Sequence, residues 1–196
     1  MTKAEKTKQY IIEQTATIFN KKGYAGTSIS DITEATGLTK GSIYGNFQDK
    51  DEVALEAYRY NIGRLKKALF PRDRYNSAID SLLGITSFYR ANWQMLAKKG
   101  GCPILNASTE ADDNLPFMKK HVQASVKDML RNLSAIISNG QDKGEIKHNV
   151  SASEYAILIM TLIEGGSMMA KINNDAKLLF AALDRVDLII KTEIKN

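Results

Sequence analysis

Apolar side chains recur at three- and four-residue spacing through most of this chain, the spacing that places them on one face of an α-helix. Only Pro71, Pro103 and Pro116 interrupt long segments rich in Ala, Leu, Ile, Lys and Glu, and the pattern predicts an all-α fold of about nine helices. The first is expected over 3–22, with Ile11, Ile12, Thr15, Ala16 and Phe19 inward and Gly23 as its C-cap. Two short helices follow near 28–36 and 40–46. A fourth starts near Lys50, turns Val53, Leu55, Tyr58, Ile62 and Leu65 inward, and stops at Pro71, where a linker is expected. Further helices are expected over 76–99, 102–111, 115–139, 151–173 and 175–194, broken by Gly100-Gly101, by the region of Pro116 and by the turn-forming Gly140 and Gly144. No internal repeat is visible, so the chain divides into a small unit over 1–48 and a larger helical body over 49–196.

Residues 27–53, TSISDITEATGLTKGSIYGNFQDKDEV, have a local reason at nearly every position. Ser28 and Asp31 form a capping box that pins the start of helix two. Ile29, Ile32 and Ala35 share one face of it, and Gly37 supplies the positive φ that ends it sharply. Leu38 turns inward, Thr39 caps the third helix, and Ile43 with Phe47, four residues apart, anchors that helix from below. Its opposite face carries Lys40, Gly41, Ser42, Tyr44, Gly45 and Asn46, short or hydrogen-bonding side chains in place of the usual Glu and Lys pairs. Such a face suits a DNA major groove. Two glycines in so short a helix cost about 1 kcal/mol each relative to Ala, which close approach of the backbone to a partner would offset; packing could also explain them.

Composition narrows the classes. With 43% hydrophobic and 25% charged residues the chain lies in the range of folded globular proteins rather than disordered ones. The net charge of +5 permits an anionic partner without demanding one. Uninterrupted apolar runs fall far short of a membrane span, and the N-terminus lacks the apolar core of a secretory signal, so a cytoplasmic protein without a membrane partner is expected. Cys102 is the single cysteine, and His121 and His148 offer no metal-ligand spacing, so neither metal nor cofactor is expected. An enzyme is not expected either, because phosphate loop, dinucleotide fingerprint and nucleophile elbow are all missing from the sequence.

Through Ala16, Phe19, Gly23, Tyr24, Thr27, Ser28, Ile29, Ile32, Ala35, Gly37, Leu38, Gly41, Ile43, Tyr44, Phe47, Lys50 and Val53, the sequence resembles the TetR family of bacterial regulators over about residues 8–55. A narrower likeness at 100–112, GGCPILNASTEAD, looks like the start of helix six in one branch of that family. The resemblance implies a helix-turn-helix DNA-binding domain followed by a helical ligand-binding and dimerisation domain, a homodimer, and a palindromic double-stranded DNA operator. It implies DNA contact by Lys40, Gly41, Ser42, Tyr44, Asn46 and Lys50, with Thr27 and Ser28 near a phosphate. Gly45 departs from relatives that carry a larger side chain there, so base reading would pass to Lys40, Ser42 and Asn46.

In the helical body, Met and aromatic side chains suit an apolar cavity for a small-molecule effector, and Phe88, Tyr89, Trp93, Cys102, Asn106, Met118, His121, Met160 and Glu164 are its candidate residues. Each apolar one of these has core packing as its competing reading. The last two helices hold more apolar surface than one small body hides, and Ile157, Met160, Ile163, Leu179, Leu183, Val186 and Ile190 are the candidate dimer residues. Gly165 and Gly166 beside Glu164 indicate close helix crossing, at the pocket or at the dimer interface. The expected mechanism is repression by the free dimer and release by an apolar ligand, with helix four as the lever. The alternatives are a helix-turn-helix protein without a small-molecule switch, or a thiol sensor working through Cys102.

Overall fold

In a computed structural model, which describes residues 1–71, 74–113 and 115–196, the described residues form nine α-helices. They are α1 (Lys3–Lys22), α2 (Ile29–Thr36), α3 (Lys40–Tyr44), α4 (Lys50–Leu69), α5 (Ala78–Lys98), α6 (Pro103–Asp113), α7 (Pro116–Asp142), α8 (Ala152–Asn173) and α9 (Ala176–Leu188). The linker expected after Pro71 includes residues 72 and 73, which lie outside the described residues. The chain packs as two units, Met1–Leu65 with Lys99–Gln123, and Lys66–Lys98 with Ala124–Asn196. The first unit therefore holds α6 and the beginnings of α4 and α7 in addition to α1–α3.

In the first unit the apolar stripe of α1 buries as expected, with Ile11, Ile12, Thr15, Ala16 and Phe19 all inside. Thr2 caps α1 through a capping box with Glu5. Ile32, Ile43, Phe47 and Val53 complete the core beneath the short helices, each at most 2% exposed. Asn61 on α4 donates to the Ala16 carbonyl at 2.8 Å and ties the longer helix to α1.

In the second unit α8 and α9 pack closely. A side chain at Gly166 would place its Cβ 2.7 Å from that of Ala182, so the glycine is what lets these two helices of one chain approach. Gly165 faces open space. Gly140, expected to end α7, lies inside it: a Cβ there would meet the Ala78 Cβ at 2.6 Å and Ile146 at 2.7 Å, so close contact rather than turning is its role. The last expected helix changes winding, since α9 passes into a π-helical stretch over Ile189–Ile194. Backbone bonds in that winding run from each residue to the one five before it, as from Lys195 N–H to Ile190 O, and Ile189, Ile190 and Ile194 are all buried there. Lys147 N–H then donates to Ile194 O at 2.9 Å and fastens the chain end. Arg90 on α5 bonds Asp184 and Asp187 on α9, at 2.8 and 3.1 Å.

Among the described residues, the 22-residue α8 is long and apolar enough to cross a bilayer by length and composition only, a test that the core helix of a soluble protein passes as well. Its outward side chains include Ile157, Leu158, Met168, Met169 and Ile172.

Candidate nucleic-acid interface

The turn between α2 and α3 is built from local signals. Ser28 Oγ accepts from Asp31 N–H at 3.1 Å, and Asp31 Oδ2 accepts from Ser28 N–H at 2.8 Å. Lys22 adds a 2.6 Å ion pair from the end of α1. The Lys22 ammonium, then the Ser28 donors, hold the Asp31 carboxyl down from 3.8 to about 2. Because Asp31 titrates lower in the folded than in the unfolded chain, its contribution to stability is complete above the ordinary carboxylate range and is lost as pH falls through about 2. Asp31→Asn should therefore melt below wild type near neutrality, with the difference narrowing below about pH 4 and closing near pH 2; thermal melts across that range check it.

Gly37 takes φ 66° and ψ 12°, the left-handed conformation that reverses the chain, and Thr39 Oγ1 then accepts from Ser42 N–H at 3.2 Å to cap α3. α3 is shorter than expected. Its end tightens as Asn46 and Phe47 both donate to Ile43 O at 3.0 Å, which drives Phe47 into the core beside Ile43. Lys40, Gly41, Tyr44 and Gly45 are left exposed, with Ser42 and Asn46 half-buried. Asn46 Nδ2 donates to Ser42 O at 2.9 Å, which holds the Asn46 side chain against the helix, and the Lys40 ammonium stands 5.9 Å from the Tyr44 ring. The two glycines differ. A Cβ at Gly45 would lie 3.3 Å from Gly41 O, a tight fit, whereas at Gly41 the nearest atom is Thr39 Oγ1 at 3.9 Å. Nothing in the fold requires glycine at 41, so packing does not explain it.

Two expected contacts are occupied internally. Thr27 is fully buried and its hydroxyl donates to Gly23 O at 2.6 Å. Lys50 donates to the carbonyls of Tyr24 and Thr27, each at 3.0 Å, and stacks 4.0 Å from the Tyr24 ring. It binds the α1–α2 loop to the start of α4 instead of standing as a solvated charge. Tyr24, for which sequence reasoning assigned no role, donates its hydroxyl to Asp51; burial first, and the Asp51 carboxylate second, push that hydroxyl up to about 12. Glu110 on α6, which the sequence offers only as a polar candidate for the effector pocket alongside Asn106 and His121, has as partners the backbone amides of Tyr24 and Ala25, which leave no mark in sequence.

The candidate effector residues separate into the two units. Asn106 and Met118 line a cavity of about 40 Å³ in the first unit, together with Asn20, Tyr58 and Glu110. Tyr89, Met160 and Glu164 line another of about 30 Å³ in the second, with Met129, Leu133 and Ile163. Trp93 is buried, and Phe88 meets Tyr89 edge-on at 5.7 Å. Cys102 is half-buried just ahead of α6. His121, also half-buried, has its pKa lowered by burial and then by Arg59, with Glu56 opposing. A drug-sized ligand needs roughly 300 Å³ or more, so either cavity holds water-sized guests until its walls move. Among the described residues no group of three His, Cys, Asp or Glu side chains is placed to hold a metal.

The expected dimer set also changes. Ile163, Leu179, Leu183, Val186 and Ile190 are at most 5% exposed within their own chain, because α8 and α9 pack through that stripe. Met160 lines the second cavity, and of the expected residues Ile157 stays on the outside. Periodicity reveals an apolar face but not which neighbour covers it.

The bacterial regulatory protein, tetR family, model matches residues 11–57, and the tetracyclin repressor-like, C-terminal domain model matches 78–186. A TetR-family transcriptional regulator from Cytophaga hutchinsonii superposes with a TM-score of 0.94 at 35% identity, covering 100% of this chain and 98% of that one. A TetR transcriptional regulator from Chloroflexus aurantiacus J-10-FL gives 0.90 at 32%, covering 100% and 99%. The HTH-type transcriptional repressor DhaR of Mycobacterium sp. (strain GP1) is 20% identical over 168 residues, 86% of this chain and 84% of its own. A capped helix-turn-helix at 28–44, two matching family models and near-complete superposition on regulators above 30% identity together mean that this chain is a DNA-binding transcriptional regulator of the TetR family.

Proposed function

We propose that the protein acts as a homodimeric repressor in the cytoplasm, inserting the Lys40–Tyr44 helix of each subunit into the major groove of a palindromic operator. The observation that carries this reading is the outward face of α3, where Gly41 leaves open space that its own fold does not use, between the exposed Lys40 and Tyr44. A helix backbone bare at that point can approach base edges closely, with Lys40 able to bond a guanine edge and Tyr44 a phosphate. Ser42 and Asn46 flank the same surface. Ser28, half of a capping box at the start of α2, lies where a phosphate is favoured by the helix dipole.

Dimerisation would use the outer faces of α8 and α9, where Ile157, Leu158, Met168, Met169, Ile172 and Leu188 are 40–78% exposed. Apolar patches of this kind on helices point to a protein partner, and a second copy would space two recognition helices about 34–36 Å apart. The same requirement explains an apolar α8 without a bilayer. For the effector, the cavity beside Tyr89, Met129 and Met160 is mostly apolar and includes Leu69 and Phe70 at the end of α4. An apolar ligand that widened it would displace that end of α4, whose residues are divided between the two units. A coupling of about 1–3 kcal/mol would give useful induction. Repression is supported by likeness to DhaR, a repressor by name.

The test is binding to duplexes selected from a random pool, measured across salt. Lys40→Ala should relax preference at one position of the site, costing about 1–3 kcal/mol there, while non-specific binding changes little. Equal losses on every sequence would rule out base reading by Lys40.

A further inference from the structure

α6 carries two polar side chains one helical turn apart, Asn106 and Glu110, both engaged with the end of α1 and the loop after it. Asn106 Nδ2 donates to Asn20 O at 2.9 Å and to Gly100 O at 2.7 Å, and Asn20 Nδ2 donates in turn to Lys99 O at 2.7 Å. That clasp sets α6 against α1. A turn later, Glu110 reaches past α1: Oε2 accepts from Tyr24 N–H at 2.6 Å and Oε1 from Ala25 N–H at 3.1 Å. Gly23 makes room for it. Its φ is 75°, and a Cβ there would fall 2.6–2.8 Å from the Glu110 carboxylate.

The loop held in this way carries both flanks of the recognition helix. Its Tyr24 and Thr27 carbonyls receive the Lys50 ammonium that begins α4, and its next residue, Ser28, caps α2. Tyr24 also donates its hydroxyl to Asp51 in the first turn of α4. α3 is suspended between those two helices, so a displacement of the loop displaces both of its supports. Two amides on one carboxylate make charge-assisted bonds, stronger than ordinary backbone pairs.

We propose that Glu110 is a positioning residue for DNA recognition, fixing from α6 the loop on which the helix-turn-helix is hung. The inference rests on the operator-binding reading above. It also gives the 100–112 motif a role that the DNA-binding segment alone does not absorb. Simple electrostatics predicts the opposite sign: deleting a negative charge from a DNA-binding unit strengthens its hold on a polyanion. Loss of position weakens it.

The test uses full-length protein and a duplex selected by wild type from a random-sequence pool. Glu110→Gln keeps the size of the side chain but replaces one acceptor oxygen by an NH₂ group that cannot accept. It should bind that duplex about tenfold more weakly, about 1.4 kcal/mol. The Tyr24 and Ala25 amides should exchange their hydrogens faster. Glu110→Asp, which keeps the charge but is a methylene shorter, should show the same loss. A structural role alone would lower the melting temperature and leave the folded protein's affinity intact. Affinity equal to or above wild type in either folded variant overturns the inference while the operator-binding reading stands, and failure of both variants to fold overturns it as well. If wild type selects no duplex, both readings fall together.

Discussion

Gly41→Ala should make the protein more stable and a worse DNA binder. In a helix, alanine is favoured over glycine by about 0.8–1.0 kcal/mol, and the new methyl group would meet nothing closer than Thr39 Oγ1 at 3.9 Å. For a chain of this size that gain corresponds to a rise of about 2–4 °C in melting temperature. On the operator the same methyl group would stand between the backbone of α3 and the base edges. An affinity loss of about tenfold is expected for Ala and effectively complete loss for Leu, since a misplaced helix forfeits several base contacts worth about 1–3 kcal/mol each. Thermal melts and gel shifts at one salt concentration check both halves. A lowered melting temperature would give Gly41 a structural duty after all, and undiminished affinity for Gly41→Leu would remove α3 from the groove.

The second large effect should come from the outer face of α8. Ile157 and Ile172 are 52% and 78% exposed, so Glu at both positions should leave the subunit folded. Two buried carboxylates per subunit in an apolar interface cannot be tolerated, and the dimer should dissociate. Operator affinity should then fall about 10²–10⁴-fold, because each helix-turn-helix would bind its half-site without the effective concentration that linkage provides. Binding to an isolated half-site should stay as it was. Sedimentation measurements and titrations on whole and half operators separate these outcomes. A variant that remained dimeric would place the interface elsewhere. Leu183→Glu is the contrasting case: Leu183 is fully buried within its own chain, and the substitution should unfold the second unit rather than split a dimer.

These contrasts follow from how differently the parts of the chain record their structure. The Ser28–Asp31 box, the Gly37 reversal, the Thr39 cap and the Ile43–Phe47 anchor are interactions within a few residues, and each is legible because the side chain that makes it sits beside the backbone it satisfies. Most helix boundaries were readable for the same reason; the exceptions are the end of α3, tightened where Asn46 and Phe47 both donate to Ile43 O, and Gly140, whose neighbours Ala78 and Ile146 decide its role.

Local capping, apolar periodicity and the pattern at 8–55 were enough, from sequence alone, to establish an all-α fold with a helix-turn-helix near the start. What required the tertiary structure was every assignment that depends on a partner far along the chain. Lys50 lies beside the recognition helix, but its ammonium is held by the Tyr24 and Thr27 carbonyls more than twenty residues earlier. Leu179 and Leu183 face α8 of the same chain rather than the outside. Glu110 acts on amides more than eighty residues away. A sequence records which side chains can bond or bury; which atoms they meet depends on packing, and packing is settled only when the whole chain has closed.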